Sequence, residues 1–324
     1  MRVARVLVTT VPFAEHDPRP IELLEAVGAE YLVNPIGRKL TEGELAEMIT
    51  DTEVVIAGTE PITAHVMDAA PRLRLISRVG VGLDSVDLAH ARTRGIAVSY
   101  TPEAPAPAVA ELTIGLALSL LRETHVANAQ MHRGIWERHM GRRASDITFG
   151  IVGVGRIGGR VIQHLRGIGA TRILAHDLHQ DADLAQRLGF TWAAMPEILV
   201  DSDLISLHVP LTERTRGMFG DEHLRAMRAG SWLINTARGG IVDETALHEA
   251  LVSRHLRGAA IDVFENEPYQ GPLSALESCL LTSHMGSMSF DCRTVMEIEA
   301  TAEAVRYLRG ERLASPVPDS EYPI

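Results

Sequence analysis

A chain of 324 residues is too long for one compact core and fits two domains of ordinary size. Its hydrophobic share of 46% and charged share of 23% are those of folded globular proteins, which excludes disorder over most of the length. A formal charge of −11 argues against nucleic-acid binding, and two cysteines without metal-ligand spacing, Cys279 and Cys292, exclude a disulfide scaffold and predict a reducing, cytoplasmic setting.

In chain order, Met1 to Val8 reads as a buried strand, its apolar run too short for a signal peptide. Val54 to Ile56, Leu75–Ile76 and Ile96 to Val98 read as further strands, with amphipathic stretches such as Ile21 to Val27 and Leu45 to Ile49 between them. Three prolines in Thr101 to Pro107 predict a stiff crossing that holds the chain out of a helix until Pro107. The apolar stretch Val109 to Leu121 then predicts a buried helix; it carries Glu111 and is too short to span a bilayer, so no membrane segment is expected. A second series begins at Ile147, with strands at Phe149 to Val152, Arg172 to Ala175, Leu204 to Leu207, Ser231 to Ile234 and Ala259 to Asp262. Met288 to Gly310 is again helical, and Ser315 to Ile324 is Pro-rich and extended. Alternating strands and helices predict an α/β protein: two doubly wound parallel-sheet, Rossmann-like domains with a cleft between them. The expected division is residues 1–100 with 289–324, and residues 101–288.

Gly153-Val154-Gly155-Arg156-Ile157-Gly158 is a G-x-G-x-x-G stretch after an apolar strand and before the helical run Val161 to Ile168. There the first glycine permits the tight turn, the second lets backbone approach a pyrophosphate at the helix start, and the third lets helix pack on strand. Arg156 is placed to reach the pyrophosphate. Asp177 ends the next strand, where a carboxylate accepts hydrogen bonds from ribose hydroxyls and repels a 2′-phosphate, so NAD is expected rather than NADP.

Six motifs follow one another from about Leu73 to Gly310: Ser77-Arg78-Val79-Gly80-Val81-Gly82-Leu83-Asp84, the glycine fingerprint, and Leu207-His208-Val209-Pro210-Leu211-Thr212. Then come Asn235-Thr236-Ala237-Arg238-Gly239-Gly240, Asp262-Val263-Phe264-Glu265-Asn266-Glu267-Pro268, and Ser283-His284-Met285-Gly286-Ser287. In this order they resemble the NAD-dependent D-isomer-specific 2-hydroxyacid dehydrogenases.

The resemblance implies that Arg238 binds the substrate carboxylate and carbonyl oxygen, that Glu267 orients His284, and that His284 is the acid/base. The chemistry asks for these residue types. Histidine takes and returns a proton near neutrality, its intrinsic pKa being about 6.5. Guanidinium matches a carboxylate in two-point geometry and stabilises negative charge growing on a carbonyl oxygen. By the same resemblance Thr236 and Ala237 contact NAD through backbone, Asp262 faces the nicotinamide carboxamide, and Pro210 and Thr215 line the cofactor cleft. Ile157, Gly286 and Ser287 belong to the cofactor site, while His208 is a structural or nicotinamide-side residue rather than the base. Residues 101–288 would be the NAD domain, and the remainder the substrate-binding domain, with Arg78 and the backbone of Val79, Gly80 and Val81 closing over a small anionic substrate.

Ser283 stands where the family commonly has proline, and Ser85 where asparagine is frequent; both bear on substrate identity more than reaction type. Glu267, where a formate dehydrogenase has glutamine, disfavours formate. No metal, nucleic acid or membrane partner is expected, nor a regulatory domain after residue 324. A locally basic segment, His132 to Arg143, would serve either a doubly charged substrate or a subunit interface, and the resemblance implies a homodimer. Two other readings share the motifs: an NAD(H)-sensing corepressor-like binding protein, and a dehydrogenase of a phosphorus oxyanion such as phosphite.

Overall fold

The computed structural model describes residues 5–322; Met1 to Ala4 of the first predicted strand, and Pro323 and Ile324 of the predicted tail, lie outside them. In chain order the elements are β1 (Arg5–Val8), α1 (Arg19–Ala26), β2 (Glu30–Val33), α2 (Glu42–Met48), β3 (Val54–Ala57), α3 (Ala64–Ala69), β4 (Leu75–Arg78), α4 (Leu88–Thr93) and β5 (Ala97–Ser99). They continue with α5 (Pro105–Arg122), α6 (Thr124–His132), β6 (Thr148–Val152), α7 (Arg156–Gly167), β7 (Arg172–His176), α8 (Ala182–Leu188), β8 (Thr191–Trp192) and α9 (Met195–Asp201). Then follow β9 (Leu204–Leu207), α10 (Asp221–Ala226), β10 (Trp232–Asn235), α11 (Glu244–Val252), β11 (Gly258–Ile261), β12 (Cys279–Leu281) and α12 (Phe290–Leu308). The chain forms two compact units, Met1–Pro105 with Met288–Ile324, and Ala106–Ser287.

The first unit holds a parallel five-stranded sheet in the order β2-β1-β3-β4-β5. β3 and β4 are buried along their whole length, as strands covered on both faces must be. The returning helix α12 is tied in by polar contacts: the Ser77 hydroxyl donates to the Ala300 carbonyl (2.7 Å), and the Arg293 guanidinium donates to the Thr10 hydroxyl (2.6 Å). The tail pairs antiparallel with β5 at Ser99 and Pro316.

The second unit holds a parallel seven-stranded sheet in the order β12-β11-β10-β9-β6-β7-β8, so the strand order reverses beside β6, as in dinucleotide-binding doubly wound folds. One face is packed by Leu116, Leu120 and Leu121 of α5 and by Val161, Ile162 and Leu165 of α7 against Phe149, Ile151 and Ile234. The other carries Ile198, Leu224 and Leu247, from α9, α10 and α11, against Ile205, Leu207 and Leu233. Among the described residues α5 alone is long and apolar enough to cross a membrane, and half of it is buried inside the fold.

The prolines correct one expectation. α5 begins at Pro105, two residues before the predicted start, with Pro105 and Pro107 both in its first turn. The first-turn N–H groups of a helix lack intrahelical acceptors, so a proline there sacrifices no ladder bond and its fixed φ suits the helix.

Candidate active site

The residues singled out in the second unit gather on loops leaving the C-terminal ends of its strands. Gly153 follows β6, Asp177 follows β7, His208 follows β9, Thr236 follows β10, Asp262 follows β11 and His284 follows β12. Ligands of open α/β sheets bind at that edge.

The fingerprint divides its work by glycine. Gly153 has φ +94°, and a Cβ there would lie 2.6 Å from the His208 carbonyl oxygen. At Gly158 a Cβ would collide with the Gly153 carbonyl, so first turn and helix pack with no room for a side chain. A Cβ at Gly155 would meet nothing within 4 Å, and Gly155 is the N-cap of α7 with no side chain capping the helix. The packed glycines therefore present an open backbone cradle to an anion at a helix start, which is what a dinucleotide pyrophosphate requires. Asp177 closes the loop from the next strand: its carboxylate accepts from the Val154 amide (2.7 Å) and the His179 amide (3.0 Å). Arg156 is exposed and Ile157 half-buried on the first turn of α7. Pro210 is exposed, and its carbonyl accepts from the Thr215 hydroxyl (2.6 Å), which folds the loop after β9 back on itself. These residues fit a bound nicotinamide dinucleotide.

Beside this loop, Nε2 of His208 is hydrogen-bonded to the Ser206 hydroxyl (2.9 Å), while its Nδ1 is buried without a hydrogen-bond partner among the described residues. Burial pushes the imidazole down to about 3. A ring held neutral at working pH cannot serve as the acid that gives up a proton.

The predicted trio sits on three neighbouring loops. Nδ1 of His284 donates to both oxygens of Glu267, at 3.0 and 2.8 Å, a contact that fixes the ring plane and turns Nε2 outward. His284 stands in the left-handed region (φ +52°), a conformation that costs free energy in a non-glycine residue and is kept only where neighbours enforce it. The enforcement is visible: the His284 amide donates to the Asp262 carbonyl (2.7 Å). The Asp262 carboxylate accepts from the Thr282 hydroxyl (2.6 Å) and from the amides of Met285 and Gly286 (both 2.9 Å). Arg238 is half-buried after β10, its guanidinium donating to the Ala237 carbonyl (2.7 Å). The Gly239 position touches the next loop, since a Cβ there would collide with the Phe264 carbonyl.

In the first unit Arg78 ends β4 and is buried, its guanidinium donating to the Val79 carbonyl (2.6 Å). The Val79 amide donates to the Ala57 carbonyl (2.9 Å) and the Gly80 amide to the Thr101 hydroxyl (2.8 Å). Two of the three amides expected to seat an anion are thus committed inside the unit, which moves that expectation onto Val81.

A family model described as "D-isomer specific 2-hydroxyacid dehydrogenase, NAD binding domain" matches residues 114–286, just over half of the chain. A glyoxylate reductase of Korarchaeum cryptofilum is 36% identical over 276 residues, covering 82% of this chain and 83% of its own length. The chain belongs to the D-isomer specific 2-hydroxyacid dehydrogenase family. A D-3-phosphoglycerate dehydrogenase of Methanocaldococcus jannaschii is 36% identical over 297 residues, 90% of this chain; the chain spans only 56% of that relative's length. The crystal structure of the TT0316 protein of Thermus thermophilus superposes with a TM-score of 0.88 at 35% identity, covering 97% of this chain and all of the other. The family's chemistry is NAD(P)-dependent interconversion of 2-keto acids and D-2-hydroxy acids, which makes this dehydrogenase an oxidoreductase acting on CH–OH.

Several supporting residues of this dehydrogenase escape sequence reasoning. Asn235 shapes the arginine loop: its Nδ2 donates to the Arg238 carbonyl (2.9 Å) and its Oδ1 accepts from the Ala237 amide (3.1 Å). Thr113, on α5, is bonded to buried Thr236 (2.9 Å). Asp262, read from sequence as facing the nicotinamide carboxamide, has both carboxylate oxygens engaged by the histidine loop. Gly286 is buried and Ser287 half-buried at the end of that loop. Asn235 sits inside a motif, so a polar residue beside Thr236 and an arginine was its signal; Thr113 offers none, being one threonine in an apolar helix.

Proposed function

We propose that this dehydrogenase reduces a small 2-keto acid of the glyoxylate or hydroxypyruvate kind with NADH, and runs the D-2-hydroxy acid oxidation in reverse. The observation that carries the reading is the two-oxygen grip of Glu267 on Nδ1 of His284, in a loop whose backbone Asp262 holds. That grip leaves Nε2 as the atom that exchanges a proton with the substrate oxygen. NAD(H) held at the glycine cradle would supply or accept the hydride at the carbon that bears this oxygen. Arg238 holds the substrate carboxylate and stabilises charge growing on the carbonyl oxygen. In the reducing direction Nε2 gives its proton to that oxygen, and the imidazole is left neutral with Nδ1–H still on Glu267.

The unit Ala106–Ser287 is assigned to the dinucleotide, with Gly153, Gly155, Arg156, Ile157 and Gly158 at the pyrophosphate. Thr236, Ala237, Asp262, Gly286, Ser287, Pro210 and Thr215 complete its site. Asp177 favours NAD, since its carboxylate would stand against a 2′-phosphate. The other unit is assigned to the substrate through Arg78 and the Val81 amide. The reading includes a homodimer working in the cytoplasm.

The test follows NADH consumption with glyoxylate, hydroxypyruvate, pyruvate and phosphohydroxypyruvate, and compares NADH with NADPH. Turnover of a small keto acid with NADH preferred is expected. His284→Ala should lose about 10²- to 10⁴-fold in kcat while still binding NADH. Background rates with every substrate, alongside intact NADH binding, would transfer the protein to the class of cofactor sensors.

A further inference from the structure

The loop that carries Glu267 leaves β11 and passes Phe264, Glu265 and Asn266 without regular structure. Two consecutive backbone amides of this loop are each taken by a carboxylate. The Phe264 amide donates to Oε1 of Glu267 itself (3.1 Å), and the Glu265 amide donates to Oε1 of Glu244 (2.8 Å), a residue distant in sequence on the first turn of α11. We propose that Glu244 is a positioning residue for the Glu267–His284 pair, tying the loop that bears Glu267 to a helix whose other face is buried in the core. The inference rests on the catalytic reading given above.

The geometry supports a direct line of action. Oε1 of Glu267 serves both the Phe264 amide and His284, so the Val263–Phe264 peptide plane, which carries that N–H, sets where the oxygen lies; the Phe264–Glu265 plane adjoins it at the Phe264 Cα and carries the N–H that Glu244 holds. Turning this plane requires breaking the Glu265–Glu244 bond. On the helix side the anchor is firm, because Ala246, Leu247, Ala250 and Leu251 of α11 are buried. Phe264 is held as well, stacked on Tyr269 at 4.2 Å.

Helix capping does not account for Glu244. Asp243 already caps α11, accepting from the amides of Thr245 (2.9 Å) and Ala246 (3.0 Å). The carboxyl of Glu244 is raised above the usual range, first by burial and then, against the hydrogen bond from Glu265, by the charges of Glu265, Asp243 and Glu267. A half-buried acid among three others disfavours its own ionisation; its hydrogen bond to the loop is the compensating interaction.

The experiment compares Glu244→Ala and Glu244→Gln in the full chain, with His284→Ala as the inactive reference. Glutamine keeps an oxygen for the Glu265 amide; alanine does not. Measured are kcat and KM for glyoxylate and for NADH, NADH binding by fluorescence, melting temperature, and hydrogen exchange of residues 262–268. Alanine should lower kcat about ten- to a hundredfold, leave NADH binding and melting near wild type, and speed exchange across 262–268. Glutamine should recover most of both losses. Unchanged exchange and kcat in the alanine variant, or a glutamine variant as impaired as alanine, would overturn the assignment. Exchange is read without turnover, so a wild-type chain inactive on every keto acid sinks the catalytic reading while the exchange data still decide the loop anchor.

Discussion

His208, half-buried but with its Nδ1 shut off from solvent, shows how an enclosed imidazole ties pH to stability. Burial pushes its imidazole down to about 3 from an ordinary value of 6.5. Between those values the unfolded chain binds a proton that the folded chain refuses, so the fold is favoured fully above about pH 6.5 and loses stability as pH falls toward 3. One such proton contributes a slope of at most about 1.4 kcal/mol per pH unit. Replacing His208 with Asn, which keeps a polar partner for Ser206, should flatten the acid limb of stability by up to that slope. Urea unfolding of both proteins at pH 7 and pH 5 checks it; parallel losses in the two would mean His208 is protonated in the fold. At this scale the site was legible wherever chemistry demands a residue type: a histidine, a carboxylate and an arginine in fixed order. It was not legible where the role is set by a hydrogen bond across loops. Thr282 and Glu244 act on Asp262 and Glu265 from other strands and helices, and nothing local in their sequence marks them.

At the scale of elements, α7 carries the sharpest expectation, because its glycines differ in what surrounds them. Gly153→Ala forces a side chain to φ +94° and against the His208 carbonyl, so it should lower the melting temperature markedly. Gly155→Ala adds a methyl group into open space at the helix N-cap and should leave the melting temperature close to wild type. It should nonetheless weaken NADH binding, since the methyl occupies the approach that a pyrophosphate needs. Thermal melting and NADH fluorescence titration on the two variants separate the effects; equal NADH affinity for Gly155→Ala and wild type would place the pyrophosphate elsewhere. The elements themselves were readable in proportion to burial. β3, β4, β9 and β10 are covered on both faces and announced themselves as apolar runs. β2 and β8 end their sheets and are exposed or half-exposed along their length; β8 has only two residues, and the apolar run Tyr31 to Val33 of β2 is not covered on both faces. The start of α5 was misplaced because proline was read as a barrier, when in a first turn it is compatible with the helix.

For the molecule as a whole, the segment from Met131 to Arg143 bears on the two uses left open for its basic residues. Several of its polar side chains are engaged inside the second unit: Arg133 pairs with Glu277 (2.7 Å), Arg142 with the nearly buried Asp203 (3.2 Å), and the His139 ring is hydrogen-bonded to Glu123 (2.8 Å). Its apolar side chains are exposed. Met131, Ile135, Trp136 and Met140 are 51%, 45%, 80% and 88% exposed, a density of apolar groups that a soluble surface rarely leaves uncovered. Aromatic and methionine side chains are also the ones that interface cores favour. A second copy of the chain is the occupant expected from the proposed homodimer, and an anionic substrate would gain nothing from Trp136 or Met140. The double variant Trp136→Glu, Met140→Glu should therefore sediment as a monomer where the wild type sediments as a dimer. Its monomers should keep the wild-type circular dichroism, because neither side chain belongs to a core. A wild-type chain that is monomeric at micromolar concentration, or a double variant still dimeric, would remove this segment from the interface.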